Sequence, residues 1–286
     1  MNQLPFWPLP AESDLLRLLE DDVGFGDLTT RALGIGHMPG RISFSARAPM
    51  RLCGVEEAAG MLALLGAEIG FSAASGMDAE GGELILSVTG PASVLHAGWK
   101  MAQLVMEFAS GVASEAADIV AAARAVAPNI AVMVTRKSVP FARTLSLKAA
   151  LAGGAEIHRL GLHDSVLIFP EHMAFFEDGL AGAVMAARRV APERAVMVEV
   201  TDEAGALAAS MAGADVIQLE KFTPEAAAAL ARTLPKRSDG RPFIGAAGGV
   251  TAKNAAAYAA AGVDTLVTSS PFMAKPRDIK VVLEKA

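Results

Sequence analysis

The sequence predicts an α/β protein in two parts, a small N-terminal module and a larger barrel of parallel strands. Three observations carry this. From about Trp99 onward, short apolar runs alternate with amphipathic stretches of helical spacing, the pattern of a parallel sheet covered by helices. Most of these units recur every 20 to 30 residues or so, which favours a (β/α) barrel over a doubly wound sheet. No Gly-x-Gly-x-x-Gly follows a strand, so a dinucleotide-binding fold is not expected.

Taken in order, residues 1–98 form the expected N-terminal module, joined by the C-terminal segment 275–286. It opens with the proline-rich arm NQLPFWPLP. Ser13 then caps a helical pattern, DLLRLLEDD. EDDVGFGDLTT reads as a helix end followed by a turn. Apolar–polar alternation from Arg41 to Met50 predicts a strand, a helix lies near Glu56 to Leu65, and ELILSVTG is a second strand. This alternation suits a sheet with one solvated face.

Residues 99–274 are the expected barrel domain. A long helical pattern beginning at Gly98 runs to Pro128. Strands are expected at 130–135, 156–160, 165–169, 195–200, 214–219, 243–246 and 264–268. Helices such as 171–190, 202–212, 223–233 and 251–261 lie between them. The stretch from Thr135 to Phe169 is densest in cations. It reads as strand, basic end, helix from Phe141 to Leu151, Gly153-Gly154, basic patch and strand, which is a βαβ unit.

Composition narrows the function. Of the 286 residues 52% are hydrophobic, much of that alanine, and mean hydropathy is +0.39. No uncharged apolar run reaches the roughly 18–20 residues that span a bilayer; the richest, Ile119 to Val134, contains Arg124 and Pro128. No basic n-region followed by an apolar h-region opens the chain. Cys53 is the single cysteine, so an internal disulfide and any Cys-x-x-Cys metal site are excluded. A soluble, cytoplasmic protein with no membrane partner is expected. The net charge of −6 argues against nucleic acid and makes a local cluster of cations more informative.

In a (β/α) barrel the chemistry sits at the C-terminal ends of the strands. The seven expected strands deliver there Thr135, Arg136 and Lys137; His158 and Arg159; Phe169; Glu199; Glu220 and Lys221; Ala247, Gly248 and Gly249, opening directly into a helix; and Thr268, Ser269 and Ser270. A glycine turn at a helix start suits a phosphate, with the hydroxyls as further donors. Glu199 and Glu220 suit ribose hydroxyls or a hydrated Mg²⁺. Arg136, Lys137 and Arg159 suit a pyrophosphate or carboxylates. Other readings stand beside these. Cations at strand ends are commonly solvated, and Gly248-Gly249 can be a plain turn. Adjacent strand residues face opposite ways, so Arg136 with Lys137, or His158 with Arg159, cannot both face inward on ideal strands; at a frayed strand end the rule relaxes, the alternative being that one of each pair is structural. Glu199 is the stronger signal, because a carboxylate inside an apolar strand is costly without a partner. His37, His96, His163 and His172 show no ligand spacing.

The blocks TRKSVPFAR, KAALAGGAEIHRLGLHDSVLI, MVEV, IQLEKF, AAGGV and GVDTLVTSS resemble, in order, those of the quinolinate phosphoribosyltransferase family. EDDVGFGDLTT and ASGVAS resemble its N-terminal and long-helix blocks, so the likeness runs from about Leu15 to Pro271. It implies a type II phosphoribosyltransferase-like fold: an N-terminal α/β sandwich domain and an incomplete, seven-stranded α/β barrel. It implies a homodimer in which one subunit's N-terminal domain covers the other's barrel mouth. The family transfers a phosphoribosyl group from phosphoribosyl pyrophosphate to quinolinate, with Mg²⁺, and then loses CO₂.

By this resemblance Arg136, His158 and Arg159 match acid-binding positions. Lys137, Glu199 and Glu220 match positions that hold phosphoribosyl pyrophosphate, although the family usually has Asp at Glu220. Gly248 and Gly249 match the phosphate loop. Four departures stand out. Lys100 replaces an arginine that reaches the partner's quinolinate, and Phe169 replaces a lysine that pairs with a substrate carboxylate. Ala247 replaces a phosphate-binding Ser, and Ser269 a Gly. Loss of that lysine removes a charge-assisted contact of roughly 1.5–3 kcal/mol. These departures resemble the ModD branch, a paralogue associated with molybdate-transport genes. The expectation is a phosphoribosyltransferase-like enzyme acting on an anionic acceptor other than quinolinate. Authentic quinolinate activity, a non-catalytic binder of molybdate or a cofactor precursor, and a Schiff-base aldolase using Lys137 or Lys221 are the alternatives.

Overall fold

The computed structural model describes residues 10–24, 26–234 and 242–286; positions 2–9 of the proline-rich arm lie outside them. The chain opens with α1 (Glu12–Val23), α2 (Leu28–Leu33), β1 (Pro39–Ala46), β2 (Met50–Arg51), α3 (Val55–Leu64), β3 (Glu68–Ser72), β4 (Asp78–Ala79) and β5 (Leu84–Pro91). The long helix α4 (Ala92–Arg124) follows, then β6 (Ala131–Val134), α5 (Arg143–Ala152), β7 (Glu156–Ile157), β8 (Val166–Ile168), α6 (Pro170–Met173) and α7 (Gly179–Val190). The remainder is β9 (Val196–Val200), α8 (Glu203–Met211), β10 (Val216–Glu220), α9 (Pro224–Thr233), β11 (Phe243–Ala247), α10 (Ala255–Ala260), β12 (Thr265–Thr268), a 3₁₀ turn (Ser270–Met273) and β13 (Ile279–Lys285). These elements form two compact units. One runs to Ala117 and includes Val139–Gly154 and Pro271–Ala286; the other is Asp118–Ser138 with Ala155–Ser270. Helix α4 is continuous through positions 98 and 99.

The first unit is built on an antiparallel sheet of order β13-β1-β5-β3. On β1 the side chains of Ile42, Phe44 and Ala46 are buried while Ser43 and Ser45 face out, the period-two pattern of a half-solvated sheet. The buried row meets Leu15 and Leu19 of α1, Met61 and Leu62 of α3, and Leu95 and Met106 of α4 in one apolar cluster. Strand β13 pairs along β1 from Gly40↔Lys285 to Ala46↔Ile279. Several elements differ from expectation: α1 starts from Ala11, so Ser13 lies inside the helix and does not cap it. The turn expected at Asp27 is a short helix: the Asp27 carboxylate accepts from the Thr29 and Thr30 amides at 3.0 and 3.3 Å, and Gly34, at φ 65°, closes it. Strand β3 was not expected, although its EIGFS run alternates; it is exposed at every position, Ile69 and Phe71 included.

Lys148 of α5 is buried in this unit and donates to Glu56 at 2.9 Å and to both oxygens of Glu57 at 2.8 and 2.7 Å. Gly153 ends α5 where a Cβ would fall 2.4 Å from the Ala113 carbonyl oxygen of α4. Cys53 is buried, and burial pushes its thiol up to about 12, the behaviour of a small inert hydrophobe.

The second unit contains a seven-stranded sheet of order β7-β6-β12-β11-β10-β9-β8, with every pairing parallel. The edge strands β7 and β8 are consecutive in the chain yet lie at opposite ends of the sheet, so the barrel is incomplete. Its strands are the apolar runs of the sequence; in β9, Val196, Met197, Val198 and Val200 are all buried. The helix expected over 171–190 is two helices, parted before Gly179, which takes φ 70°. The helix expected over 251–261 shortens to Ala255–Ala260. No helix among the described residues is long and apolar enough to cross a membrane.

Candidate active site

A cavity of about 580 Å³ opens at the C-terminal ends of the parallel strands. Thirteen residues carried forward from the sequence line it (Thr135, Arg136, Lys137, His158, Arg159, Phe169, Glu199, Glu220, Ala247, Gly248, Gly249, Thr268 and Ser269). Lys100 is not among the lining residues. It sits exposed on α4, its Nζ 3.0 Å from Gln103 Oε1 and 5.1 Å from the Trp99 ring centroid.

Both neighbouring pairs line the cavity, because each sits past its strand's end, where the alternation relaxes. Strand β6 ends at Val134, and Arg136 and Lys137 lie beyond it in a bend, where the alternation no longer applies. Thr135 Oγ1 accepts from the Lys137 amide at 3.2 Å and holds that bend. Strand β7 stops at Ile157, so His158 and Arg159 are likewise released.

Arg159 is 6% exposed, and its guanidinium lies 5.7 Å from the Phe169 ring centroid. Burial, and next the charge of Arg136, lower its pKa from the usual arginine value. Among the described residues Arg136, Lys137 and Arg159 form no ion pair. Arg159 is the buried one of the three, and a buried cation without an ion-pair partner is costly, so an anion entering the cavity lowers that cost; Arg136 and Lys137 are exposed. His158 is different. Burial, and then Arg159, lower it to about 4, so it is neutral at pH 7 and serves as a hydrogen-bonding group rather than a cation.

Phe169 faces the cavity from the end of β8. Its ring stacks on His172 at 5.7 Å and 20°, and its amide donates to His172 Nδ1 at 2.9 Å. His172 thus braces the ring, a role its spacing in the sequence did not suggest. On the neighbouring strand β9, Glu199 accepts from Gln218 Nε2 at 2.6 Å. Burial raises the Glu199 pKa; Gln218 pulls it back, Glu220 and Glu171 push it up, and Lys137 lowers it.

The glycine turn departs from expectation. Gly248 and Gly249 adopt φ 81° and 95°, but the next helix starts only at Ala255 and has six residues, so no helix end faces the cavity here. Asn254 shapes the intervening turn: its Oδ1 accepts from the Thr251 amide at 2.7 Å and its Nδ2 donates to the Gly249 carbonyl at 3.0 Å. Two successive glycines in left-handed conformations form a concavity for an anion through backbone N–H groups alone. A Cβ on Gly248 would sit 2.7 Å from Glu220 Oε1, so glycine there also makes room for that carboxylate. Thr268 is buried, and its hydroxyl donates to the Val250 carbonyl at 2.7 Å while accepting from the Ser270 amide at 3.0 Å. It holds the loop together instead of offering a free donor.

Glu171 and Gln218 also line the cavity and were given no role from sequence; Lys221, named there only as a possible Schiff-base amine, lines it too. Gln218 could have been found by the argument used for Glu199, a polar residue inside a buried strand. Lys221 takes φ 59°, an unfavourable conformation for a non-glycine residue, and its amide donates to the Ala247 carbonyl at 2.8 Å. Among the described residues no group of three or more His, Cys, Asp or Glu could hold a metal ion.

Comparison with known proteins fits this layout. Residues 27–110 match the N-terminal domain of quinolinate phosphoribosyl transferase, and residues 112–282 match its C-terminal domain. The chain is 52% identical over 246 residues to the ModD protein of Rhodobacter capsulatus, covering 86% of this chain and 94% of that one. It is 36% identical over 278 residues to the ModD protein of Escherichia coli O6:H1, covering 96% and 98%. The structure of the nicotinate-nucleotide pyrophosphorylase from Francisella tularensis has the same fold, with a TM-score of 0.87 at 22% identity over 96% of this chain and 98% of that one.

Proposed function

The chain belongs to the quinolinate phosphoribosyltransferase family, and from that premise we propose that it transfers a phosphoribosyl group from phosphoribosyl pyrophosphate to an anionic acceptor other than quinolinate, releasing pyrophosphate. One observation carries the reading. Three cations that form no ion pair among the described residues, two carboxylates and a double-glycine turn surround one cavity at the strand ends.

In this reading the N–H groups of Gly248 and Gly249, with the Ser269 hydroxyl, hold the 5′-phosphate. Glu220 accepts from ribose hydroxyls, and Lys137 meets the pyrophosphate. Arg136 and Arg159 clamp the acceptor's carboxylate, with neutral His158 as a further hydrogen-bond partner. The bond between the ribosyl carbon and pyrophosphate oxygen breaks, pyrophosphate keeping its electron pair. The acceptor's lone pair forms the new bond to that carbon. Positive charge develops on the ribosyl ring between these events, as in glycosyl transfer generally. Glu199, partly shielded from water, stabilises it.

The donor set suits Mg²⁺ carried in by the substrate: Glu199 and Glu220 are two carboxylates, and Mg²⁺ commonly takes one or two together with phosphate oxygens and waters. Bound there, the ion supplies charge neutralisation for the leaving pyrophosphate. The acceptor's identity turns on Phe169. A second carboxylate placed as in quinolinate would meet hydrocarbon there, so the acceptor has fewer carboxylates or an apolar edge.

Calorimetry with phosphoribosyl pyrophosphate and Mg²⁺ tests the reading. Wild-type protein is expected to bind, and Lys137→Ala to bind at least tenfold more weakly. Glu199→Gln is expected to keep binding while pyrophosphate release with an aromatic acid acceptor falls by a factor of about 10² or more. Absence of binding to wild type, or equal binding by Lys137→Ala, would overturn it.

A further inference from the structure

Gln218 sits in the middle of β10 between Ile217 and Leu219, 6% exposed, with its side chain on the cavity wall. Its Nε2 donates to Glu199 Oε2, but its Oε1 is buried and has no hydrogen-bond partner. A buried acceptor left unpaired keeps its full desolvation penalty. The amide cannot turn over to relieve this, because its oxygen would then face the Glu199 carboxylate. Across the sheet, the residue paired with Gln218 on β11 is Gly245, which has no side chain to meet the oxygen.

Depth tells which part of a bound ligand reaches this atom. Gln218 precedes Glu220 by two residues on the same strand, so it lies one step further from the mouth, level with Glu199 on β9. Ribose hydroxyls already have the Glu199 and Glu220 carboxylates as acceptors. The oxygen of Gln218 is therefore left for the other substrate.

We propose that Gln218 is a specificity-determining residue whose Oε1 accepts a hydrogen bond from an N–H or O–H group on the acceptor. The acceptor class is then an aromatic or heteroaromatic acid with one carboxylate for Arg136 and Arg159 and one donor (amino, hydroxyl or protonated ring nitrogen) for Gln218. This rests on the transferase reading for the word acceptor, and on Gln218 alone for the donor. The side chain also acts against a second anion. With Glu199 beside it, this wall offers two oxygen acceptors, which repel a carboxylate and attract a donor.

The experiment measures binding of pyridine-3-carboxylate and of its amino- and hydroxy-substituted isomers by calorimetry, without phosphoribosyl pyrophosphate or Mg²⁺. In wild type the best donor-bearing isomer is expected to bind about tenfold more tightly than the parent acid, the worth of one buried hydrogen bond. In Gln218→Met and in Gln218→Leu that ratio is expected to collapse to about one. The ratio is the readout because losing Glu199's partner affects both ligands alike, whereas loss of a donor–acceptor contact affects one. Equal affinity in wild type, no binding of any isomer, or the same preference in the folded variants overturns the proposal. Failure of phosphoribosyl pyrophosphate to bind sinks the transferase reading but leaves this ratio measurable.

Discussion

Phe169 lies between a guanidinium and an imidazole, Arg159 and His172 each 5.7 Å from its ring. That bracing fixes a hydrocarbon surface inside a cavity otherwise built for anions. Phe169→Lys is expected to raise quinolinate affinity roughly tenfold or more by restoring one charge-assisted contact. Without a dicarboxylate the new ammonium crowds Arg159, so the gain should appear with quinolinate and not with a monocarboxylate. Calorimetry with both acids checks this, and equal affinity before and after would place the discrimination elsewhere. His158 carries a second residue-scale prediction. Its folded pKa of about 4 lies below the ordinary 6.5, so the unfolded chain binds the proton more readily in that interval. The stability it contributes is complete above pH 6.5 and is lost as pH falls towards 4. His158→Gln should flatten the urea midpoint between pH 7 and pH 5 relative to wild type. At Gly248, both φ 81° and the nearby Glu220 carboxylate forbid a side chain. Gly248→Ala should therefore cost turnover by a factor of about 10² or more through displaced Glu220, with the fold kept by circular dichroism.

At the scale of elements, the seven parallel strands were legible because buried strands are continuous apolar runs, and that signal survives in a single sequence. The places that misled share a physical cause: local polar geometry overrode the pattern. Asp27 converts a turn into α2 with its own carboxylate, and β3 is held by backbone pairing to β5 while its Ile69 and Phe71 stay exposed. Asn254 delays α10, removing the helix end that the glycine turn was expected to adjoin. Helix α5 shows a further limit, since Lys148 reads in sequence as one more solvated cation. In the fold it is buried between Glu56 and Glu57. Burial works against the charge on Lys148, but Glu57 and Glu56 hold its pKa above the usual lysine value. Burial alone would raise Glu56; Ser75 and Lys148 outweigh it and hold the carboxyl below its usual range. Glu56 thus contributes stability above pH 4.5 that is lost on further acidification. Lys148→Met leaves two carboxylates facing each other in a poorly solvated site and is expected to cost about 3–5 kcal/mol at pH 7. In the variant the sign should invert, stability rising as pH is lowered towards 4.5 and the carboxylates take up protons. Denaturation at pH 7 and pH 5 reads both effects, and a pH-independent loss would mean the cost is packing alone.

For the whole molecule, the decisive fact is a mismatch between overall and local charge. The protein carries −6, yet Arg136, Lys137 and Arg159 converge on one cavity with no ion-pair partners among the described residues. The types and order of those cations could be read from the chain; that Arg136 with Lys137, and His158 with Arg159, all reach one cavity could not, because it depends on where β6 and β7 stop, at Val134 and Ile157, one and three residues short of the ends expected. A polyanion approaching this protein meets a net negative charge at long range and a cluster of cations at the cavity. Charges around a partly enclosed cavity of low polarizability act over about a Debye length, near 10 Å at 0.1 M salt. The association rate of phosphoribosyl pyrophosphate should accordingly fall steeply as ionic strength rises from about 0.02 to 0.3 M. Dissociation, governed by contacts inside the cavity, should change far less. Lys137→Ala should lower the rate at low salt and flatten its salt dependence, whereas neutralising Arg188, which bonds Gly213 and Asp215 at the N-terminal end of β10, should leave the slope unchanged. Arg188 is exposed, pairs with Asp215 at 2.7 Å and does not line the cavity, so its removal tests net charge. Stopped-flow association at four or five salt concentrations separates the outcomes. Equal slopes for wild type and Lys137→Ala would mean that the cations bind the ligand on arrival but do not draw it in.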